Sequence, residues 1–386
     1  MMRLFVNSEI YPAYRRQFDD EWGHLDTFAA RRRAFLDDRY SAMHFLKPVL
    51  DGEEWAFFTN GDDEVLQRMW AREHGLGRTH DMATILLAQI EEHRTEIFYN
   101  LDPMRFPGSF VRRLPSTVKC TIAWRAAPSR SADLGDYDLV VCNFPSLIRQ
   151  WRDRGWRADH FFPGHDPVMD AYATRTQRCV DVSFVGSYSR HHQSRAKVLT
   201  AVAQLSARYD VRFHLNTSRV TNIAEHPLAS FLPVARFRRP WPIQQVTHQT
   251  VFGRKLYDAL AASKVVLNAA IDMAGRDRGN MRCFEAMGCA AVMLSDDGIY
   301  PEGMRPGSHF VTYRDPMEVV ARATDILEHW PSHQDIGRHA HASVRQQYSQ
   351  ERQWNAFVSL VSRCKTRCGT KARESISTGP SANELA

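Results

Sequence analysis

No apolar run in this 386-residue chain approaches the ~20 residues that cross a bilayer. The start, Met1-Met2-Arg3-Leu4-Phe5-Val6-Asn7, has too short an apolar run for a secretory signal and no small-residue cleavage site. It reads as a first strand. Cysteine is sparse: seven, an odd number, scattered through strand and helix patterns. That excludes a disulfide framework and fits reduced thiols in a cytoplasmic protein. Metal-ligand spacing is missing too. His339 and His341 fall on nearly opposite faces of a predicted helix. His191 and His192 are adjacent, and Cys364 and Cys368 share a helical face with nothing to complete a tetrahedron. No bound metal is expected. There is no Gly-x-Ser-x-Gly elbow and no Walker-type loop, which removes the serine-hydrolase and P-loop readings. No basic stripe is interleaved with stacking aromatics, so a nucleic-acid partner is not expected.

What the chain has is length and apolar content for two cores. Hydrophobic residues make up 44%, and a chain this long exceeds a typical single domain. The net charge of +6 is gathered in short clusters: Arg31-Arg32-Arg33, Arg112-Arg113 and Arg236/Arg238/Arg239. These are solvated helix faces and loop ends, or they meet an anion such as a substrate phosphate or the inner membrane surface. The four methionines Met273, Met281, Met287 and Met293 read as core filling.

Strand-length apolar runs punctuate the first half: Leu4-Phe5-Val6, Trp55 to Phe58, Glu96 to Tyr99, Cys120 to Trp124 and Leu139 to Cys142. Helical patterns lie between them, with acids in the first turn after Asp62 and a cap at Asp81. Strand–helix alternation predicts an α/β domain over 1–165. The turn chemistry of Phe161-Phe162-Pro163-Gly164-His165-Asp166-Pro167 leads into a linker at 166–179. A second α/β domain is predicted over 180–349. It opens with the strand Val180 to Ser187, whose Gly186-Ser187 turn runs into Arg190, His191 and Arg195. Amides and cations at a strand's carboxyl end suit a phosphate. A last helix is expected over 350–364, and the polar tail 365–386 is expected to be disordered.

The most informative stretch is Lys264 to Asp296. The run Lys264-Val265-Val266-Leu267-Asn268-Ala269-Ala270-Ile271 is a buried strand. A polar loop follows, holding Asp272, Arg276, Asp277, Arg278 and Gly279. Then come a helix from Asn280 and a second strand, Ala290 to Asp296. This is a βαβ unit of a parallel sheet, and such sheets bind ligands at the carboxyl ends of their strands. The helix N-terminus turned into that loop suits a diphosphate. Arg282 and Glu285, three apart, share one helix face. Arg282 also lies in the first turn, where a cation opposes the helix dipole unless an anion compensates it.

Asp277, seven intervening residues and Glu285-Ala286-Met287-Gly288-Cys289-Ala290 resemble the donor-binding segment of GT-B-fold glycosyltransferases. The resemblance is to the group-1 type and its spore-maturation-protein-like branch. It implies two facing Rossmann-like domains, an interdomain cleft and a C-terminal helix crossing back onto the first domain. It implies that a nucleotide-sugar donor is bound as substrate with no cofactor. The ribose then falls to Glu285. The diphosphate falls to Gly279, Asn280, Met281 and the turn residues Gly186, Ser187, Arg190, His191 and Arg195. Asp277, Arg282, Arg125 and Glu9 are the candidate catalytic residues. Asp277 stands where many relatives have glutamate, and Trp124-Arg125 where many have a histidine. Glu9, after the first strand, is the first-domain carboxylate for orienting an acceptor.

The expected activity is metal-independent transfer of a sugar to the hydroxyl of a glycan, lipid-linked or small-molecule acceptor, with retention of configuration, in cell-envelope or polysaccharide synthesis. The expected location is cytoplasmic, with a peripheral contact to the membrane's inner face open. A nucleotide-sugar epimerase of the same architecture and a non-catalytic sugar-nucleotide-binding protein stay open as rivals.

Overall fold

The computed structural model describes residues 2–77, 80–128, 131–189, 191–217, 219–226, 237–271 and 275–377, with backbone only at 219, 222 and 365–377. Two six-stranded sheets are formed, and every strand pair in both is parallel. The first contains β1 (Leu4–Ser8), β2 (Ala56–Asn60), β3 (Ile97–Asn100), β4 (Cys120–Trp124), β5 (Leu139–Cys142) and β6 (Ala158–His160), in the order β2-β1-β3-β4-β5-β6. The second contains β7 (Val180–Ser187), β8 (Val211–Asn216), β9 (Thr247–His248), β10 (Ser263–Asn268), β11 (Val292–Asp296) and β12 (Val311–Tyr313), in the order β12-β11-β10-β7-β8-β9. β1, β3, β4 and β5 are buried along their whole length. Helices on both faces of a parallel sheet require this, so these strands read as continuous apolar runs.

Some helix starts carry side-chain caps. Asp63, Asp81 and Asp315 each accept a hydrogen bond from an amide of the first turn, at 3.2, 2.7 and 2.8 Å respectively. Each satisfies donors that the helix itself cannot.

Sheet order places the site. In the first sheet β1 lies between β2 and β3, so the connections leave in opposite directions on either side of the β1/β3 boundary. In the second sheet the same reversal falls between β7 and β10. Crevices open at such switch points, beyond the carboxyl ends of the strands. The two switch points face each other across a cavity of about 550 Å³.

The linker passes through the short helix Met169–Ala173. The last helix, Gln350–Ser377, returns to the first domain. Phe357 and Leu360 are buried in the core that also contains Val6, Tyr99 and Phe161, with Trp354 packed against it. Truncating a buried Phe costs roughly 3–5 kcal/mol, so this helix is part of the first domain's core. It runs past residue 364, where the sequence pattern ended it. The segment holds helix formers such as Lys371, Ala372, Arg373 and Glu374, and no proline lies between Gln350 and Pro380. Residues 378–386 of the expected tail lie outside the described residues.

Candidate active site

Four segments build the second-domain wall of the cleft. β7 delivers Gly186 and Ser187, the helix Gln193–Ala203 delivers Arg195, β10 delivers Asn268, and the helix Met281–Gly288 delivers Met281, Arg282 and Glu285. Gly279 precedes that last helix with φ +125°, and a Cβ there would meet the Pro301 ring at 2.7 Å. Only glycine makes that turn without strain. Its carbonyl accepts a hydrogen bond from Asn143 of the first domain. Asn280 takes the N-cap position without capping the helix. Its side chain pairs instead with Asn268, at 2.9 Å and 3.2 Å. The helix therefore starts at the cleft with no side-chain cap on its first amides, the arrangement that suits an anionic ligand.

The cations there are held in place. Arg195 Nε donates to the Ala269 carbonyl at 2.7 Å, and its guanidinium lies 5.5 Å from the centre of the Phe184 ring. Arg282 Nη1 donates to Glu285 Oε2 at 2.7 Å. Both side chains are largely buried, at 15% and 7% exposure. Arg282 Nε is buried without a partner. A buried donor left unpaired is costly.

On the first-domain wall, Glu9 follows β1 and Arg125 follows β4. Glu9 is pushed up from the usual carboxylate range to about 7. Desolvation by the surrounding protein is the main cause, Asp102 and Asp62 add repulsion, and Arg125 and Arg105 oppose it. Glu9 is therefore protonated below about pH 7 and charged above it. If the carboxylate is what orients the acceptor, kcat/KM for the acceptor rises as pH climbs through about 7, and Glu9→Gln removes that rise. A pH profile with the same limb in both proteins would remove Glu9 from the role.

Ten of the expected site residues thus line one cavity: Glu9, Arg125, Gly186, Ser187, Arg195, Gly279, Asn280, Met281, Arg282 and Glu285. Three are not among them. Asp277 is buried, at 4% exposure, and its carboxylate accepts from the Ser146 amide at 2.8 Å and from the Ser146 hydroxyl. The N-terminus of the helix Pro145–Asp153 draws this carboxylate toward the first domain, so it serves as a contact between domains rather than a cleft group. His191 is exposed, outside the cleft wall. Arg190 lies outside the described residues.

The cleft also contains residues that the sequence pattern does not single out. His44 belongs to the 3-10 turn Ala42–His44, with its ring 4.6 Å from that of Trp124. Burial pushes it down to about 4, so it is neutral at physiological pH. Tyr40, Asn143 and Gly253 join it. Gly253 has φ +54°, and a Cβ there would lie 2.4 Å from the Asp38 carbonyl oxygen. The two domains approach too closely for any side chain at this point.

Residues 185–359 match the glycosyl transferase-like family. The protein is a glycosyltransferase of the GT-B fold. A search of curated proteins finds no match to the sequence. Among solved structures, the chain is similar to Anabaena HepE in complex with UDP, at 13% identity and TM-score 0.56, covering 94% of this chain and 100% of that one. HepE is also known with UDP-glucose. A glycosyltransferase of Rickettsia africae is similar at 9% identity and TM-score 0.53, covering 94% and 98%. AviGT4, a glycosyltransferase involved in avilamycin A biosynthesis, is similar at 14% identity and TM-score 0.51, covering 94% and 98%. At such identities the likeness is one of fold. It places the glycosyltransferase's cavity at the interdomain cleft of the GT-B architecture. No helix among the described residues is long and apolar enough to cross a membrane.

Proposed function

We propose that this glycosyltransferase moves a sugar from a UDP-sugar to an acceptor hydroxyl, with retention of configuration and without a metal ion on the diphosphate. One observation carries the reading. Arg195, Arg282, Glu285 and an uncapped helix start converge at one switch point, opposite Glu9 and Arg125 at the other. The uridine follows from the likeness to HepE, which binds UDP and UDP-glucose. The Asp277-to-Glu285 pattern favours the spore-maturation-protein-like branch of the group-1 enzymes.

In this reading Glu285 accepts hydrogen bonds from the ribose hydroxyls. The diphosphate rests on the amides after Gly279, beside Arg195 and Arg282. The acceptor oxygen attacks the anomeric carbon as the bond from that carbon to the diphosphate breaks. Negative charge grows on the departing UDP, and fixed dipoles and cations stabilise it more in the transition state than in the ground state. On the same face as the departing diphosphate, the acceptor's proton passes to a diphosphate oxygen. Glu9 orients the acceptor from the first domain.

Incubation of a UDP-sugar panel with and without saccharide and lipid-linked acceptors tests this. UDP release that depends on acceptor is the expected result. Sugar isomerisation without acceptor would favour an epimerase, and tight donor binding with no turnover under any condition a non-catalytic protein. Excess EDTA should leave turnover largely intact, because protein groups neutralise the diphosphate. Loss of activity in EDTA that magnesium or manganese restores would overturn the metal-free mechanism.

A further inference from the structure

We propose that His165, Asp170 and His341 bind a divalent transition-metal ion, zinc by preference, at the hinge between the two domains. Each comes from a different element: the linker after β6, the helix Met169–Ala173 and the helix Trp330–Gln347. One ligand atom from each lies within 4.8 Å of the other two. Nothing in the proposed transfer reaction uses them, since none lines the cleft.

The ring orientations suit a metal ion. His341 Nδ1 lies 2.9 Å from the Gly288 carbonyl oxygen, which can only accept, so Nδ1 carries the hydrogen. In the neutral ring Nε2 is then a lone pair, and it faces Asp170 Oδ1 at 3.6 Å. The same Oδ1 lies 2.7 Å from His165 Nε2. One carboxylate oxygen thus meets two ring nitrogens from different elements, at 2.7 and 3.6 Å. With Nε2 as a lone pair, a metal ion between the three groups is coordinated by all of them. The Gly288 carbonyl also does what outer partners of metal-bound histidines do, fixing the tautomer and the ring plane.

The geometry is close to what the ion needs. Zinc bonds of about 2.0–2.2 Å in a tetrahedron separate ligand atoms by about 3.3–3.5 Å. The distances of 2.7 and 3.6 Å bracket that range, and a small shift of Asp170, 31% exposed at its side chain, evens them. Two imidazoles and a carboxylate favour zinc, cobalt or nickel over calcium or magnesium, and water completes the fourth position. His165 Nδ1 is buried without a partner. It is orphaned whether Nε2 donates to Asp170 or binds a metal, so it does not oppose the site. Arg345 does. Its Nε lies 3.1 Å from Asp170 Oδ2, where it occupies the second carboxylate oxygen and adds a repelling charge. Asp166 faces elsewhere, toward the Val168 amide and the Tyr257 hydroxyl.

The site would tie linker, second domain and crossing helix together. The His165 amide donates to the Tyr348 carbonyl at 2.6 Å, just before the helix that returns to the first domain. Gly288 ends the helix that carries Glu285.

The test uses the full-length, untagged protein, stripped of metal and titrated with cobalt(II). The expected result is a visible d–d absorption band that saturates at one equivalent and is displaced by zinc, with a melting temperature that rises with zinc. His341→Gln and Asp170→Asn should each weaken cobalt binding by more than about tenfold, while melting near the wild type without metal. Arg345→Met should tighten it. His333→Gln is the control, because His333 and His329 flank Asp325 on the exposed surface and could hold an adventitious ion. The proposal is overturned if no band forms at millimolar cobalt, if the band survives both ligand variants, or if His333→Gln removes it. Turnover in EDTA at low temperature is unaffected in either case, which keeps this test separate from that of the transfer mechanism.

Discussion

Replacing Arg282 by glutamine should lower kcat by about a hundredfold or more, the size of effect found when one preorganised donor is removed from a site of charge development. Arg282 stands in the first turn of Met281–Gly288, where the helix dipole disfavours a cation. Asp277 and Asp296 are acids close to Arg282 in the chain that could make an ordinary salt bridge. The structure gives those acids other roles: Asp277 accepts from Ser146, and Asp296 pairs with Arg278 Nε at 3.2 Å. Arg282 pairs with Glu285 instead, inside the cavity, and keeps Nε without a partner. Glutamine can still donate to Glu285, so the fold should survive with a melting temperature within a few degrees of the wild type. A diphosphate that gains charge in the transition state would lose one of the cations that line its proposed site. Steady-state kinetics beside thermal melts decide the matter. Normal turnover, or inactivity that tracks unfolding, would falsify the role.

The elements that sequence makes legible are those whose burial is a local property. β1, β4, β5 and the pair β10/β11 are buried runs of strand length, and each was readable as such. β6 and β9, of three and two residues, carry one buried residue or none. They leave no periodic trace and are defined by pairing with β5 and β8. The site divides the same way. Gly186, Gly279 and Glu285 announce themselves through a strand end and a helix start. His44 reaches the cleft from a single 3-10 turn, and Gly253 is fixed by Asp38 of the other domain, so only tertiary structure reveals either. Asp277 fits the family spacing, yet the neighbouring helix start at Pro145 captures its carboxylate. The hinge cluster is the extreme case. His165 and His341 are far apart in sequence, and reading His341 only against its helix neighbour His339 hides the partner that the fold supplies.

Removing the Glu285 side chain should weaken binding of UDP by about ten- to a hundredfold. A hydrogen bond to a charged group is worth about 1.5–3 kcal/mol, and each 1.4 kcal/mol is tenfold in affinity. Glu285 is 5% exposed and lines the cleft beside Met281 and Asn280. Its pairing with Arg282 complicates a single truncation. Glu285→Ala leaves a guanidinium at 15% exposure without its carboxylate, and that cation can move toward the diphosphate and mask part of the loss. The ribose contact is therefore separated by ligand rather than by residue alone. Affinity for uridine, which has the ribose but no diphosphate, should fall by the full factor. Affinity for inorganic pyrophosphate, which has no ribose, should hold or improve. Calorimetry on the folded variant reads both. Unchanged uridine affinity in Glu285→Ala would remove the residue from the ribose. A fall in pyrophosphate affinity alone would instead mean that Glu285 acts only by positioning Arg282.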